Sequence, residues 1–234
     1  MLFRSAELRA VSADSVTSFE YMSGDALALM VSTSATLTAP LIGKHHVLAE
    51  MLAEEGDDRL ERALTEAHHR GLVEDVIVAQ NETQRGQLWR LRESLPAVEK
   101  LLGGSIKHDI SVPLAQVAPY IAKATVALAA RWPGARPSVY GHVGDGNVHF
   151  NVLAPSAVDA AAFKAEHGAA VSDLSHELAH RMAGSFSAEH GVGVLKRNLL
   201  ARYGDPVALA LMRQLKSSFD PFDLMNPGKL MPTA

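Results

Sequence analysis

The chain has 234 residues, 47 % apolar and 21 % charged, with net charge −4 and no cysteine. This ordinary globular balance gives no electrostatic pull toward nucleic acid or an anionic membrane. The missing cysteine excludes disulfides, thiolate metal sites, iron–sulfur clusters and a cysteine nucleophile, and suits a reducing cytoplasm; no stretch approaches the ~20 apolar residues of a membrane helix.

In chain order, Arg4–Ser15 reads as a helix and Ser18–Met22 as a short strand. Ala26–Thr38 is a weak helix and loop, and His46–Leu52 alternates as a strand does. Asp57–Arg70 is helical, with Leu60, Leu64 and His68 at helical spacing and Gly71 at the C-terminal stop. Val73–Ala79 reads as a strand. Glu82–Leu102 is a long helix, kinked or broken at Pro96. Ser105–Val112 is a strand closed by Pro113, which opens a helix to about Arg131. A Pro133/Gly134/Pro137 loop is the best candidate for an internal boundary. Val139–Leu153 carries the strongest strand signal. Asp159–Met182, Val192–Arg202 and Pro206–Phe219 read as helices, with a short strand over Ser185–Ala188. This order predicts an α+β fold: a ferredoxin-like antiparallel sheet with helices on one face, plus a helical C-terminal part.

Residues 140–151 read YGHVGDGNVHFN. Asp145-Gly146 is a strong two-residue hairpin signal. Such a turn pairs Gly144 with Asn147, Val143 with Val148 and His142 with His149. Opposed residues share a face with Cβ atoms ~4.5–5.5 Å apart, so two imidazoles converge and Asn151 joins their face. Neutral imidazole is a common metal ligand. The plainer reading is a hairpin whose histidines bond to backbone, and another register would separate them.

Residues 184–193, GSFSAEHGVG, set Glu189 beside His190 between a short strand and a helix. Glu189 would complete a His-His-carboxylate metal site, leaving His190 to face substrate as a base. Gly191 and Gly193 allow close approach to free amides at the helix start, which favour anions. The alternative is that Glu189 caps the helix and His190 packs. Arg92 on the long helix is a candidate carboxylate clamp or part of a solvated face. Lys107 and Asp109 share one face of their strand. His176-Glu177-Leu178-Ala179-His180 is a literal HExxH match without an obvious third ligand.

GHVGDGNVHFNV, GSFSAEHGVG and DPFDLMNPGKL, in this order and joined by IKHDISVP and LWRLRE, resemble the C-terminal domain of the FAD-linked oxidases of the vanillyl-alcohol oxidase superfamily. The members most alike are D-2-hydroxyglutarate and D-lactate dehydrogenases and the flavin subunit of glycolate oxidase. The resemblance runs from about Phe19 to the end. It implies a domain that binds metal and substrate in a flavin enzyme oxidising a D-2-hydroxy acid (lactate, glycolate, malate or 2-hydroxyglutarate) to the 2-oxo acid. It implies a divalent metal, zinc in the dehydrogenases, on His142, His149 and Glu189, with His190 as the base. Arg92, Lys107 and Asn151 match substrate-binding positions. Pro96 stands where relatives that grip a dicarboxylate often carry a hydroxyl residue.

In this family FAD sits mainly in an N-terminal domain of comparable size. Nothing like it is legible here, neither a GxGxxG motif nor a Gly-rich phosphate loop. The expectation is therefore an excised or truncated piece that binds metal, holds no stable FAD alone and is inactive by itself. The electron acceptor would be a quinone, a cytochrome or an electron-transfer flavoprotein. A homodimer is compatible with the sequence, and no residue pattern specifies one. Two other readings remain: a non-catalytic ferredoxin-like binding or assembly module, and a metallopeptidase built on His176, Glu177 and His180.

Overall fold

The computed structural model describes residues 15–33, 39–52 and 56–231. The helix expected over Arg4–Ser15 lies outside these residues apart from its last position, as does the end of the Ala26–Thr38 segment. Five strands, β1 (Val16–Ser23), β2 (His45–Met51), β3 (Asp109–Ser111), β4 (Arg136–His142) and β5 (Asn147–Leu153), form one antiparallel sheet in the order β2-β1-β4-β5-β3. Helices α1 (Gly24–Thr33), α2 (Arg59–His69), α3 (Glu82–Leu101), α4 (Val117–Arg131) and α5 (Ala160–Arg181) surround it. Two more, α6 (Arg197–Tyr203) and α7 (Pro206–Phe219), form the helical C-terminal part. The α+β class is as expected. Strands from both sides of the Pro133 loop share this sheet, so no boundary falls there.

Alternation decides what each sheet face meets. Phe19 and Tyr21 of β1, Val139 of β4, Val148, Phe150 and Val152 of β5 and Ile110 of β3 point one way. They pack on Tyr120, Ile121 and Leu128 of α4 and Phe163 and Val171 of α5. This is the principal core, and it has the expected single helical layer. The other face has helices too, which the one-face expectation omits: Met22 and Tyr140 pack on Leu27 and Met30 of α1 and Leu91, Leu95 and Val98 of α3. β5 is therefore buried at every position while keeping its polar/apolar alternation.

Three expectations need correction. α3 runs unbroken through Pro96, because burial of Leu91, Leu95 and Val98 on one stripe holds the helix across it. Val73–Ala79 forms no strand; the Val76 amide within it donates to the Asp75 side chain and the Gln80 amide just after it to that of Gln84. The Ser105–Val112 strand shrinks to β3 plus a bridge between Ile106 and Val152. His108 interrupts the ladder: its amide donates to the Asn151 side chain, and its ring Nδ1 takes the Phe150 carbonyl in place of the backbone.

Candidate active site

The hairpin turn differs from the one expected. β4 and β5 pair Tyr140 with His149 and Arg136 with Leu153, leaving a four-residue loop over 143–146. Asp145 N–H donates to the His142 carbonyl, and the Asp145 carboxylate accepts from Asn147 N–H. Gly146, at φ +86°, lies where a Cβ would be 2.2 Å from the Val112 carbonyl oxygen. The close contact to the end of β3 and the bonded four-residue loop thus set the register. The pairing slips by two residues, not one, so the faces are preserved. His142 and His149 sit diagonally rather than opposite, with ring centroids 5.9 Å apart, nearly perpendicular.

The segment carrying Glu189 and His190 is brought to the hairpin by β3. Ser185 bridges Ser111, and Gly184 leaves no room for a side chain, since a Cβ would lie 2.2 Å from the Ser111 carbonyl oxygen. The expected strand over Ser185–Ala188 is that single bridge, and the expected Val192–Arg202 helix begins only at Arg197. Consequently Gly191 and Gly193 do not open a helix. Three amides just before Gly191 bind an internal anion. Asp109 Oδ2 accepts from Ala188, Glu189 and His190 at 3.2, 3.1 and 2.9 Å. Lys196 Nζ lies 3.6 Å from the same oxygen and donates to Ser187 Oγ. Burial pushes the Asp109 carboxyl pKa up. The His190 and Glu189 amides and the His190 and Lys196 charges outweigh that, holding it below the ordinary value.

Four residues expected to form the site meet here. Glu189 places one carboxylate oxygen 3.4 Å from His149 Nε2 and the other 3.9 Å from His142 Nε2. The His190 ring stacks on His149 with centroids 5.8 Å apart. Asp109, His149, Glu189 and His190 offer donor atoms within 4.8 Å of one another. The donor set, imidazole and carboxylate with two glutamate oxygens facing two Nε2 atoms, fits a divalent cation of the zinc or manganese kind. Burial, with the Arg92 charge second, lowers the His149 pKa to about 4. Its ring is neutral near pH 7 and keeps a lone pair for a metal.

Arg92 lies beneath this cluster. It is 8 % exposed, donates Nε to Glu20 Oε2 at 2.9 Å and stacks over Tyr140 at 4.7 Å. Asn151 shares the His149 face, and its amide donates to both oxygens of buried Glu99 and to the Tyr140 hydroxyl. Lys107 is exposed, and among the described residues no hydrogen bond or ion pair joins it to the cluster. Sequence reasoning gave no role to Glu20, Glu99 or Asp109. The one sequence signal for Asp109 was the face it shares with Lys107.

The HExxH match comes apart in three dimensions. His176 and His180 line a cleft of about 370 Å³ with Phe186 and Tyr203, behind the Ser185–Gly191 segment. Glu177 pairs with Arg181 at the helix surface. Among the described residues neither histidine belongs to a cluster of three or more metal donors.

The model of the family "FAD linked oxidases, C-terminal domain" matches residues 5–230. The chain is 35 % identical over 220 residues to D-2-hydroxyglutarate dehydrogenase of Xanthomonas citri pv. viticola, covering 92 % of this chain and 46 % of that protein. It is 34 % identical to the protein of the same name from Stutzerimonas stutzeri, covering 92 % and 47 %. With the mitochondrial D-2-hydroxyglutarate dehydrogenase of Bos taurus it shares 33 % identity, covering 96 % and 40 %. The chain thus spans about half the length of the curated relatives it matches. In fold it is similar to p-cresol methylhydroxylase with substrate bound, at TM-score 0.57 and 16 % identity, over 97 % of this chain and 48 % of that one. No helix among the described residues is long and apolar enough to cross a membrane. From the match over nearly its whole length, the chain belongs to the family of FAD linked oxidases, C-terminal domain.

Proposed function

We propose that this chain is the substrate- and metal-binding domain of a flavin-dependent dehydrogenase that oxidises a D-2-hydroxy acid to the 2-oxo acid. The observation that carries the reading is the approach of His142 and His149 Nε2 to the two Glu189 oxygens, with His190 stacked on His149, in a chain of this family. The names of the relatives favour D-2-hydroxyglutarate over lactate, glycolate and malate. Pro96, in the turn after Arg92, means that a second carboxylate would have to be held without a hydroxyl there.

His142, His149 and Glu189 would hold the metal, zinc in this reading, which supplies the Lewis acidity that makes a bound α-hydroxyl easier to deprotonate. His190 takes the hydroxyl proton. Asp109, 3.5 Å from His190 Nδ1, stabilises the imidazolium that results. FAD, which the family resemblance assigns mainly to an N-terminal domain, would supply the hydride acceptor when bound. Arg92 uses Nε on Glu20, which leaves its Nη groups for a substrate carboxylate, with Lys107 as a second cation. Asn151 contributes from the floor of the site, since its amide is already engaged by Glu99 and Tyr140. Electrons then pass to a separate acceptor, a quinone, cytochrome or electron-transfer flavoprotein. The cysteine-free composition favours a reducing compartment, which we take as cytoplasmic, although several relatives are named mitochondrial.

The test joins the chain to an FAD-binding domain and follows flavin absorbance anaerobically. D-2-hydroxyglutarate should bleach it, and His190→Gln should slow the bleaching by about 10²–10⁴-fold. Flavin left oxidised by all four hydroxy acids would exclude the reading and leave a binding or assembly module.

A further inference from the structure

Each hairpin histidine has a buried carboxylate behind it. His142 Nδ1 lies 2.7 Å from Glu20 Oε1, and Glu20 is 3 % exposed. His149 Nδ1 lies 3.9 Å from Asp109 Oδ1, and Asp109 is also 3 % exposed. The two carboxylates come from different strands, β1 and β3, on opposite sides of the hairpin. A carboxylate only accepts, so the His142 Nδ1 bonded to Glu20 carries the hydrogen; Asp109, beyond hydrogen-bond length at 3.9 Å, favours the same tautomer of His149 through its negative charge. The lone pair of each ring then sits on Nε2, and both Nε2 atoms face Glu189.

Both carboxylates are themselves anchored. Glu20 accepts from Arg92 Nε through its other oxygen and from Ser18 Oγ. The remaining oxygen of Asp109 holds the three amides of Ala188, Glu189 and His190. Asp109 Oδ1, in contrast, is buried with no hydrogen-bond partner among the described residues. A buried acceptor left unpaired is costly, and His149 Nδ1 is the ring nitrogen beside it, at 3.9 Å.

We propose that Glu20 and Asp109 are positioning residues that lock His142 and His149 in the Nδ1–H tautomer, presenting both Nε2 lone pairs to a cation shared with Glu189. The inference rests on the metal reading above. Asp109 also gathers the 188–190 amides and so sets Glu189 and His190 at the hairpin; one carboxylate thereby couples the two halves of the site. Its oxygens lie near the ligand atoms of His149, Glu189 and His190, but Oδ2 is already held by three amides with Lys196 and His190 Nδ1 beside it, and Oδ1 sits behind His149. It therefore acts through the imidazole rather than as a ligand.

Two measurements on the full chain decide this. The first is the ring ¹⁵N spectrum of His142 and His149 at pH 8 with no metal added, assigned with His142→Ala and His149→Ala. Both rings should be in the Nδ1–H tautomer, and Glu20→Gln should release His142 alone. An Nε2–H tautomer at either ring in the unaltered chain would overturn the proposal, whether or not metal binds. The second is Zn²⁺ affinity by competition with a chelating dye. Glu20→Gln and Asp109→Asn should each weaken it about 10–100-fold, while circular dichroism confirms folding. Unchanged Zn²⁺ affinity in both folded variants would overturn it as well. If the unaltered chain bound no Zn²⁺ but showed the Nδ1–H tautomer at both rings, the metal reading would fail and the positioning assignment would stand.

Discussion

The two faces of β5 are built on opposite principles. Val148, Phe150 and Val152 join the apolar core against α4 and α5, while His149 and Asn151, one residue out of step, lie among carboxylates, an arginine and other imidazoles. Both faces are buried. On the apolar face stability comes from area and close packing, which is non-directional and tolerant of conservative exchange. On the polar face every group needs a named partner, because an unpaired buried donor or acceptor costs more than a made bond returns. The contrast explains how the site is placed: the apolar side holds the strands, and the polar side inherits their positions.

The largest effect is expected from the apolar side. Phe150→Ala, at a position 2 % exposed, should destabilise the chain by about 3–5 kcal/mol in urea unfolding, through lost transfer and a cavity. The surviving folded fraction should bind Zn²⁺ unchanged. From the polar side, Asn151→Ala removes the amide that donates to both oxygens of buried Glu99 and should cost about 1–3 kcal/mol in the same assay. A loss as large as that of Phe150→Ala would show that the polar face carries the fold and would end the division of labour.

Acid probes the boundary between the two layers. His108 and His176, edge to face at 5.5 Å, each have their pKa lowered to about 4, chiefly by burial. Between about pH 6.5 and pH 4 the unfolded chain therefore binds more protons than the folded one, so stability should fall as the pH drops through that window. His176→Asn should reduce the slope by roughly one proton. A stability profile flat from pH 6.5 to pH 4 would contradict the burial of these rings. The smallest effect is expected at the surface. Glu177→Gln removes an exposed pair with Arg181 and should change stability by no more than ~1 kcal/mol, with no change in metal content.

The legibility of the sequence follows from the same contrast. The faces of the hairpin could be read because period-two alternation survives a two-residue slip. The register could not, since Asp145-Gly146 serves a two-residue turn or the end of a four-residue one. The convergence of His142, His149, Glu189 and His190 came from three long motifs whose family resemblance the match over 5–230 bears out. The supporting carboxylates were invisible for a physical reason. Glu20 and His142 are 122 residues apart, and Glu99 and Asn151 are 52 apart. Pairings of that kind leave no local pattern in a single chain. The β3 segment was over-extended because alternation does not reveal a histidine whose own ring replaces its backbone bond.

Everything proposed for the site depends on one property: that the polar face of the hairpin and the Glu189–His190 segment form a metal site in this chain by itself. The direct measurement is elemental analysis of the purified chain after equilibration with Zn²⁺ and exhaustive dialysis, beside the His142→Ala/His149→Ala variant. About one equivalent of zinc is expected in the unaltered chain, as a single three-ligand site requires, and none above background in the variant. Equal zinc in both, or none in either, would contradict the metal site.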